Sequence, residues 1–281
     1  MAKYIPETKG ELKKLVKDES INLKDIDTSL ITDMSGLFAH SKRLEFSGIE
    51  SWDTSNVVNM SAMFYEAKYF NEPLGNWNVG SVKYMVKMFC GCHNFNQNIS
   101  SWDTKNVLNM CGMFSGCNNF NQPLNNWDVS KVKKFAFMFS HCNNFNQPLN
   151  NWDTSSAVNM MYMFFHCSKF NADISSFDTS NVLDMSCMFQ QCERFNADIS
   201  TWNVSKCRDF SAMFFICSDF NQPLSAWDVS NGRDFSMMFL FAKSFNQPLN
   251  NWDLKRGEDY YNMFQDCAIS KENIPKIIQI Y

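Results

Sequence analysis

The chain has 281 residues, 45% of them hydrophobic, with 27 phenylalanines and a formal net charge of −4. That balance speaks against a disordered chain, which lacks apolar surface to bury, and against a basic nucleic-acid-binding surface. No apolar run approaches the roughly 18 residues of a spanning helix, so no membrane insertion is expected.

The opening segment, MAKYIPETKGELKKLVKDES, has no apolar stretch of the kind a secretory signal needs. A cytoplasmic location is expected for the chain as given; the alternative is the cell surface, or release, if the native gene supplies an export signal. Leu12, Leu15 and Val16 share one stripe among lysines, which predicts a capping helix within residues 1–25.

From Ile26 onward the sequence repeats. Trp52, Trp77, Trp102, Trp127, Trp152, Trp202, Trp227 and Trp252 fall on one 25-residue grid, and Phe177 fills the remaining slot. With that aromatic as position 0, Met-Phe recurs at positions 11 and 12 of every unit, from Met63-Phe64 to Met263-Phe264. Phe-Asn recurs at 18 and 19, from Phe70-Asn71 to Phe245-Asn246, and Leu or Ile at 22. A degenerate unit, Ile26-Asp27-Thr28 through Leu37-Phe38, comes first, with one extra residue before Trp52. A fixed period of this length marks a solenoid, in which each unit touches only its neighbours.

Within a unit the pattern changes. Leu124, Trp127 and Val129 alternate as in a strand. Val107, Met110, Met113, Phe114 and Cys117 then follow helical spacing, with Ser at position 3 of several units placed as an N-cap. Proline at 21 suits the loop before the next strand. The expected fold is an α/β, right-handed, leucine-rich-repeat-like solenoid: parallel inner strands, helices outside, and one degenerate plus nine full units over residues 26–267. The asparagines at position 19 are expected to form a buried ladder, and residues 268–281, including NIPKIIQIY, a C-terminal cap.

FNQPLNNWDVSKVKKFAFMFSHC resembles the BspA-like repeat of bacterial surface proteins and mycoplasma lipoproteins, a family of unknown function, and the pattern holds from about Asp25 to Cys267. The resemblance implies a leucine-rich-repeat interaction protein, often a surface adhesin, and supplies no catalytic residues.

Four features invite chemistry. Cysteine fills position 15 at Cys92, Cys117, Cys142, Cys167, Cys192, Cys217 and Cys267, exchanging with Ala67 and Ala242, so the slot reads as a small buried one. Helix axes roughly 8–10 Å apart would keep these thiols from pairing. In FCGCHNF, Cys90, Cys92 and His93 lack a nearby fourth ligand, and His141 and His166, stacked at position 14, would hold a metal only weakly. No metal, cofactor or catalytic residue is assigned. Asp53, Asp103, Asp128, Asp153, Asp178, Asp228 and Asp253 share position 1 on the expected concave face, with Asn126 and Asn151 beside them. Their plain role is an Asx bond to the backbone leading into the helix; the functional one is recognition of cationic or polyhydroxyl partners or calcium. Finally, Phe137, Tyr162, Phe165, Phe215, Ile216, Leu240 and Phe241 put apolar groups where a solvated helix face is expected. They either pack between helices or offer a contact surface. The expectation is a non-catalytic protein–protein interaction scaffold with an unidentified protein partner or self-association. A surface adhesin binding host protein or glycan is the alternative; an enzyme is disfavoured because repetition offers the same groups at each step.

Overall fold

A computed structural model describes residues 2–278. Met1 of the expected N-terminal cap and residues 279–281 of the C-terminal one lie outside the described residues. Helix α1, Lys9–Lys17, begins where Thr8 accepts a hydrogen bond from the Glu11 amide. It buries Leu12 and Val16, with Leu15 partly covered. Ahead of it Tyr4 bridges to Ile26 in parallel.

Among the described residues α1 is the only α-helix, and the helix expected in each repeat is not formed. Instead, backbone amides alternate between two kinds of partner. Met60, Ala62, Phe64 and Glu66 donate across to the carbonyls of Tyr84, Val86, Met88 and Cys90 in the next unit, at 2.7–2.9 Å. The amides between them fold back by three residues: Met63 to Met60, Tyr65 to Ala62, Ala67 to Phe64. The same scheme recurs along the chain, and isolated parallel bridges link Asn59, Tyr84, Asn109, Lys134, Asn159, Asp184, Asp209, Asp234 and Asp259 in order. The ladder between units therefore runs through the segment read as helix, not through the tryptophan segment read as strand.

The reason lies in the backbone. Positions 10 and 14 are left-handed in every unit, as at Ala62 (φ 54°) and Glu66 (φ 57°), and an α-helix admits no such residue. Overlapping turns bury positions 5, 8, 11, 12 and 15 with nearly the spacing of a helix face, so periodicity alone could not separate the two. Few of these left-handed sites are glycine. Each other residue there costs about 1–2 kcal/mol, a cost offset by the cross-unit bonds and the core they close.

That core is a set of columns. Phenylalanines at position 12, from Phe38 through Phe64, Phe89 and Phe114 to Phe239 and Phe264, stack ring on ring at 5.4–5.9 Å. The position-18 rings sit 3.8–4.2 Å from those of position 12 in the same unit. Offset parallel stacking of this kind adds to the area term of burial. Polar handles inside the columns are used. Each tryptophan Nε1–H donates to a buried Leu or Ile carbonyl, as Trp102 to Leu74 (2.9 Å) and Trp152 to Leu124 (2.9 Å). Thr54, Thr104, Thr154 and Thr179 donate their hydroxyls to the following unit's backbone.

The first repeat is irregular where a buried charge enters. Arg43, 5% exposed, donates through its guanidinium to the carbonyls of Val16, Glu19, Ile21 and Glu45. It ties the segment after α1 to the first unit, which runs eight residues from Phe38 to Phe46 where later units run six from Phe64 to Phe70. Gly48 follows at φ 94°, and a Cβ there would lie 2.5 Å from the Lys24 nitrogen.

The asparagines of position 19 do form a ladder: each Oδ1 accepts the next unit's asparagine amide, from Asn71–Asn96 to Asn221–Asn246, at 2.8–3.0 Å. They are half-exposed or exposed rather than buried, as at Asn146, because the turn that carries them lies at the rim of the stack.

Candidate functional site

At position 1 the turn dictates what the carboxylates do. In all nine full units the Asp or Asn Oδ1 accepts the amide two residues on, among them Asp53 to Ser55, Asp103 to Lys105, Asp128 to Ser130, Asp153 to Ser155, Asp178 to Ser180, Asp228 to Ser230 and Asp253 to Lys255. The Asx bond is thus present at each candidate of this column. The serine hydroxyl and amide hold the carboxyls of Asp128, Asp178 and Asp228 below the usual range. Asp103 and Asp253 also pair with Lys105 (2.7 Å) and Lys255 (3.6 Å). All seven aspartates, with Asn126 and Asn151, are exposed, so the outer oxygens face solvent in one row.

A second acidic row went unread in the sequence. Position 7, the bridge column, carries Asp184, Asp209, Asp234 and Asp259 in four consecutive units. The available signal was Asp-x-Ser at 184–186, 209–211 and 234–236, which makes the same turn bond. Asp209 lies between Asp184 and Asp234; burial first, then those two charges, raises its carboxyl above the ordinary range against the pull of Ser211.

The apolar candidates separate into two groups. Phe137 stacks on Tyr162 at 4.7 Å, and Phe165 meets Tyr162 edge-on at 5.4 Å. Two units on, Phe215 and Phe241 are 6.1 Å apart beside Ile216. Gln190 and Gln191 occupy the unit between them. Phe137 is 38% and Phe241 37% exposed, whereas Leu240 is buried. With no α-helix in the repeats among the described residues, packing between helices cannot account for the part-exposed rings.

Two other readings change in detail. The cysteines of position 15 are free, but not through helix spacing, since their units stack ring to ring under 6 Å apart. Cys92, Cys117, Cys142, Cys167, Cys192 and Cys217 instead each point the thiol at a phenylalanine carbonyl one unit back, at 2.8–3.1 Å. Burial drives those thiols far above their ordinary pKa, leaving no thiolate to react. In FCGCHNF, Cys92 is committed inward, and His93 Nδ1 faces the Gly116 carbonyl (2.8 Å) and Asn118 Oδ1 (3.0 Å). Among the described residues no three His, Cys, Asp or Glu side chains converge on a metal position. A shallow cleft that the repeat pattern gave no sign of lies in the first units, between His40, Lys42, Leu44, Glu66, Lys68 and Tyr69. No described helix is long and apolar enough to cross a membrane.

Comparison with known proteins adds a family. The family described as "Mycoplasma protein of unknown function, DUF285" matches residues 10–114, 81–177 and 158–277. A search of curated proteins finds no match. Among solved structures, an internalin from Listeria monocytogenes aligns over 74% of this chain and 78% of its own at 8% identity and a TM-score of 0.15.

Proposed function

The chain belongs to the Mycoplasma protein family of unknown function DUF285, and on that premise we propose that this repeat protein is a non-catalytic solenoid scaffold for protein–protein contact. The observation that carries the reading is the surface pair Phe137 and Tyr162, continued by Phe165. Aromatic rings held rigid and part-exposed on a hydrogen-bonded frame supply contact area at little entropic cost. Contiguous exposed apolar groups in a soluble chain mark contact sites. The acidic row is the weaker address, because each candidate aspartate in it already serves its own turn. Within the family, the finer BspA-like resemblance favours an adhesin that would meet its partner through the same rings.

The test is affinity capture from the native cell together with solution mass. Phe137→Asn and Phe241→Asp suit it, because Asn262 and Asp266 occupy the same positions naturally. That double variant is expected to lose captured partner or self-association, and Asp128→Ala/Asp153→Ala to retain it. Unchanged capture by the first pair with intact folding would remove the aromatic surface.

A further inference from the structure

The two imidazoles at position 14 of neighbouring units make a site that the scaffold reading does not use. His141 and His166 have nearly identical backbones, φ 59° and 58°, and the ladder fixes both, through His141 to the Phe165 carbonyl (2.7 Å) and His166 to that of Gln190 (2.8 Å). Their ring centroids are 4.9 Å apart, with planes tilted by 34°. A divalent ion bound about 2.0–2.1 Å from a ring nitrogen lies about 3.2 Å from that ring's centroid, so two imidazoles sharing it at a tetrahedral angle have centroids about 5 Å apart.

The next shell also fits. His166 Nδ1 is 3.1 Å from Asn143 Oδ1. An amide oxygen only accepts, so Nδ1 carries the proton and Nε2 keeps its lone pair. A histidine held in this way by its other nitrogen is the usual form of a metal ligand. Phe165 meets His141 edge-on at 4.9 Å and walls one side.

We propose that His141 and His166 chelate a borderline divalent cation of the Zn2+, Ni2+ or Cu2+ class through ring nitrogens, with Asn143 as a positioning residue and water completing the coordination. Imidazole selects these ions over Mg2+ and Ca2+, which take oxygen ligands.

Ni2+ titration of the full chain by calorimetry tests this, alongside His141→Gln, His166→Gln, the double variant, Asn143→Ala and His93→Gln. Gln191 fills the same position one unit on, so glutamine suits this backbone, and unchanged thermal unfolding of the metal-free variants checks it. Wild type is expected to bind saturably and to release Ni2+ to competing Zn2+ but not to Mg2+. Each single histidine variant should lose more than about tenfold in affinity, Asn143→Ala about tenfold, and His93→Gln nothing. The eleven cysteines are present in every variant and serve as their own control. Absence of binding by wild type, or equal binding by the double histidine variant, would overturn the site.

Discussion

At the scale of single residues, this protein places ordinary side chains where the backbone favours glycine. Gln191 sits at φ 61° with a half-exposed side chain, whereas Gly116 fills the same slot at φ 76°. Gln191→Gly should therefore stabilise by up to about 1 kcal/mol, the left-handed strain less the entropy glycine regains when unfolded, read by denaturant unfolding. A loss of stability would contradict the strain. The acidic bridge column predicts a pH signature. Asp209 has a raised carboxyl, so its native form binds its proton more tightly than the unfolded chain does; the penalty appears as pH rises through the carboxylate range and is absent well below it. Asp209→Asn keeps the turn bond, as Asn159 does, and should gain roughly 1 kcal/mol at pH 7 from relieved repulsion. At pH 3 the gain should vanish; an equal gain at both values would rule out charge as its cause. Asp128, Asp178 and Asp228 have lowered carboxyls and act the other way, contributing stability above the ordinary range that is lost as pH falls through it.

At the scale of elements, what the sequence made legible was spacing, and what it hid was the hydrogen-bond partner. The capping stripe of Leu12 and Val16 was readable because α1 has real helical bonds and a Thr8 cap. The stretch from Val107 to Cys117 imitated a helix because turns chained through Met110–Met113 and Phe114–Cys117 bury the same positions. Nothing in apolar periodicity reports that Gly112 and Gly116 have positive φ, since the same slots hold Phe137, Tyr162, His141 and His166 elsewhere. Arg43 was invisible for another reason: its role is to carbonyls brought together only by folding. Arg43→Ala leaves the buried Val16 carbonyl and the part-buried ones beside it without this donor and should cost about 1–3 kcal/mol in denaturant melts; a change under about 0.5 kcal/mol would show that α1 needs no such tie. The asparagine ladder asks for less than a buried one would. Asn146 accepts from Asn171 and donates to Asn121 Oδ1 at the rim, so Asn146→Leu should cost about 0.5–1.5 kcal/mol, below what a fully buried pair would lose.

At the scale of the whole molecule, each repeat is bonded to its neighbour by the same recurring set of amides, and its aromatic rings rest on those of its neighbours. Such an array gains stability by adding interfaces rather than by growing one core. The recurring tryptophans announced the array, and the aspartates of position 1 were correctly legible as Asx residues because Asp-x-Ser is a local signature. The part-exposed rings from Phe137 to Phe165 were legible as apolar excess. Their arrangement as a stack required the left-handed positions to be known. Turns and cross-unit bonds, not helices, build every repeat. Through-hydrogen-bond NMR coupling tests it directly. Coupling is expected from the Ala62 amide to the Val86 carbonyl carbon and from Phe64 to Met88, with left-handed Cα shifts at Ala62 and Glu66. Coupling from the Phe64 amide to the Met60 carbonyl, with helical shifts throughout, would contradict it.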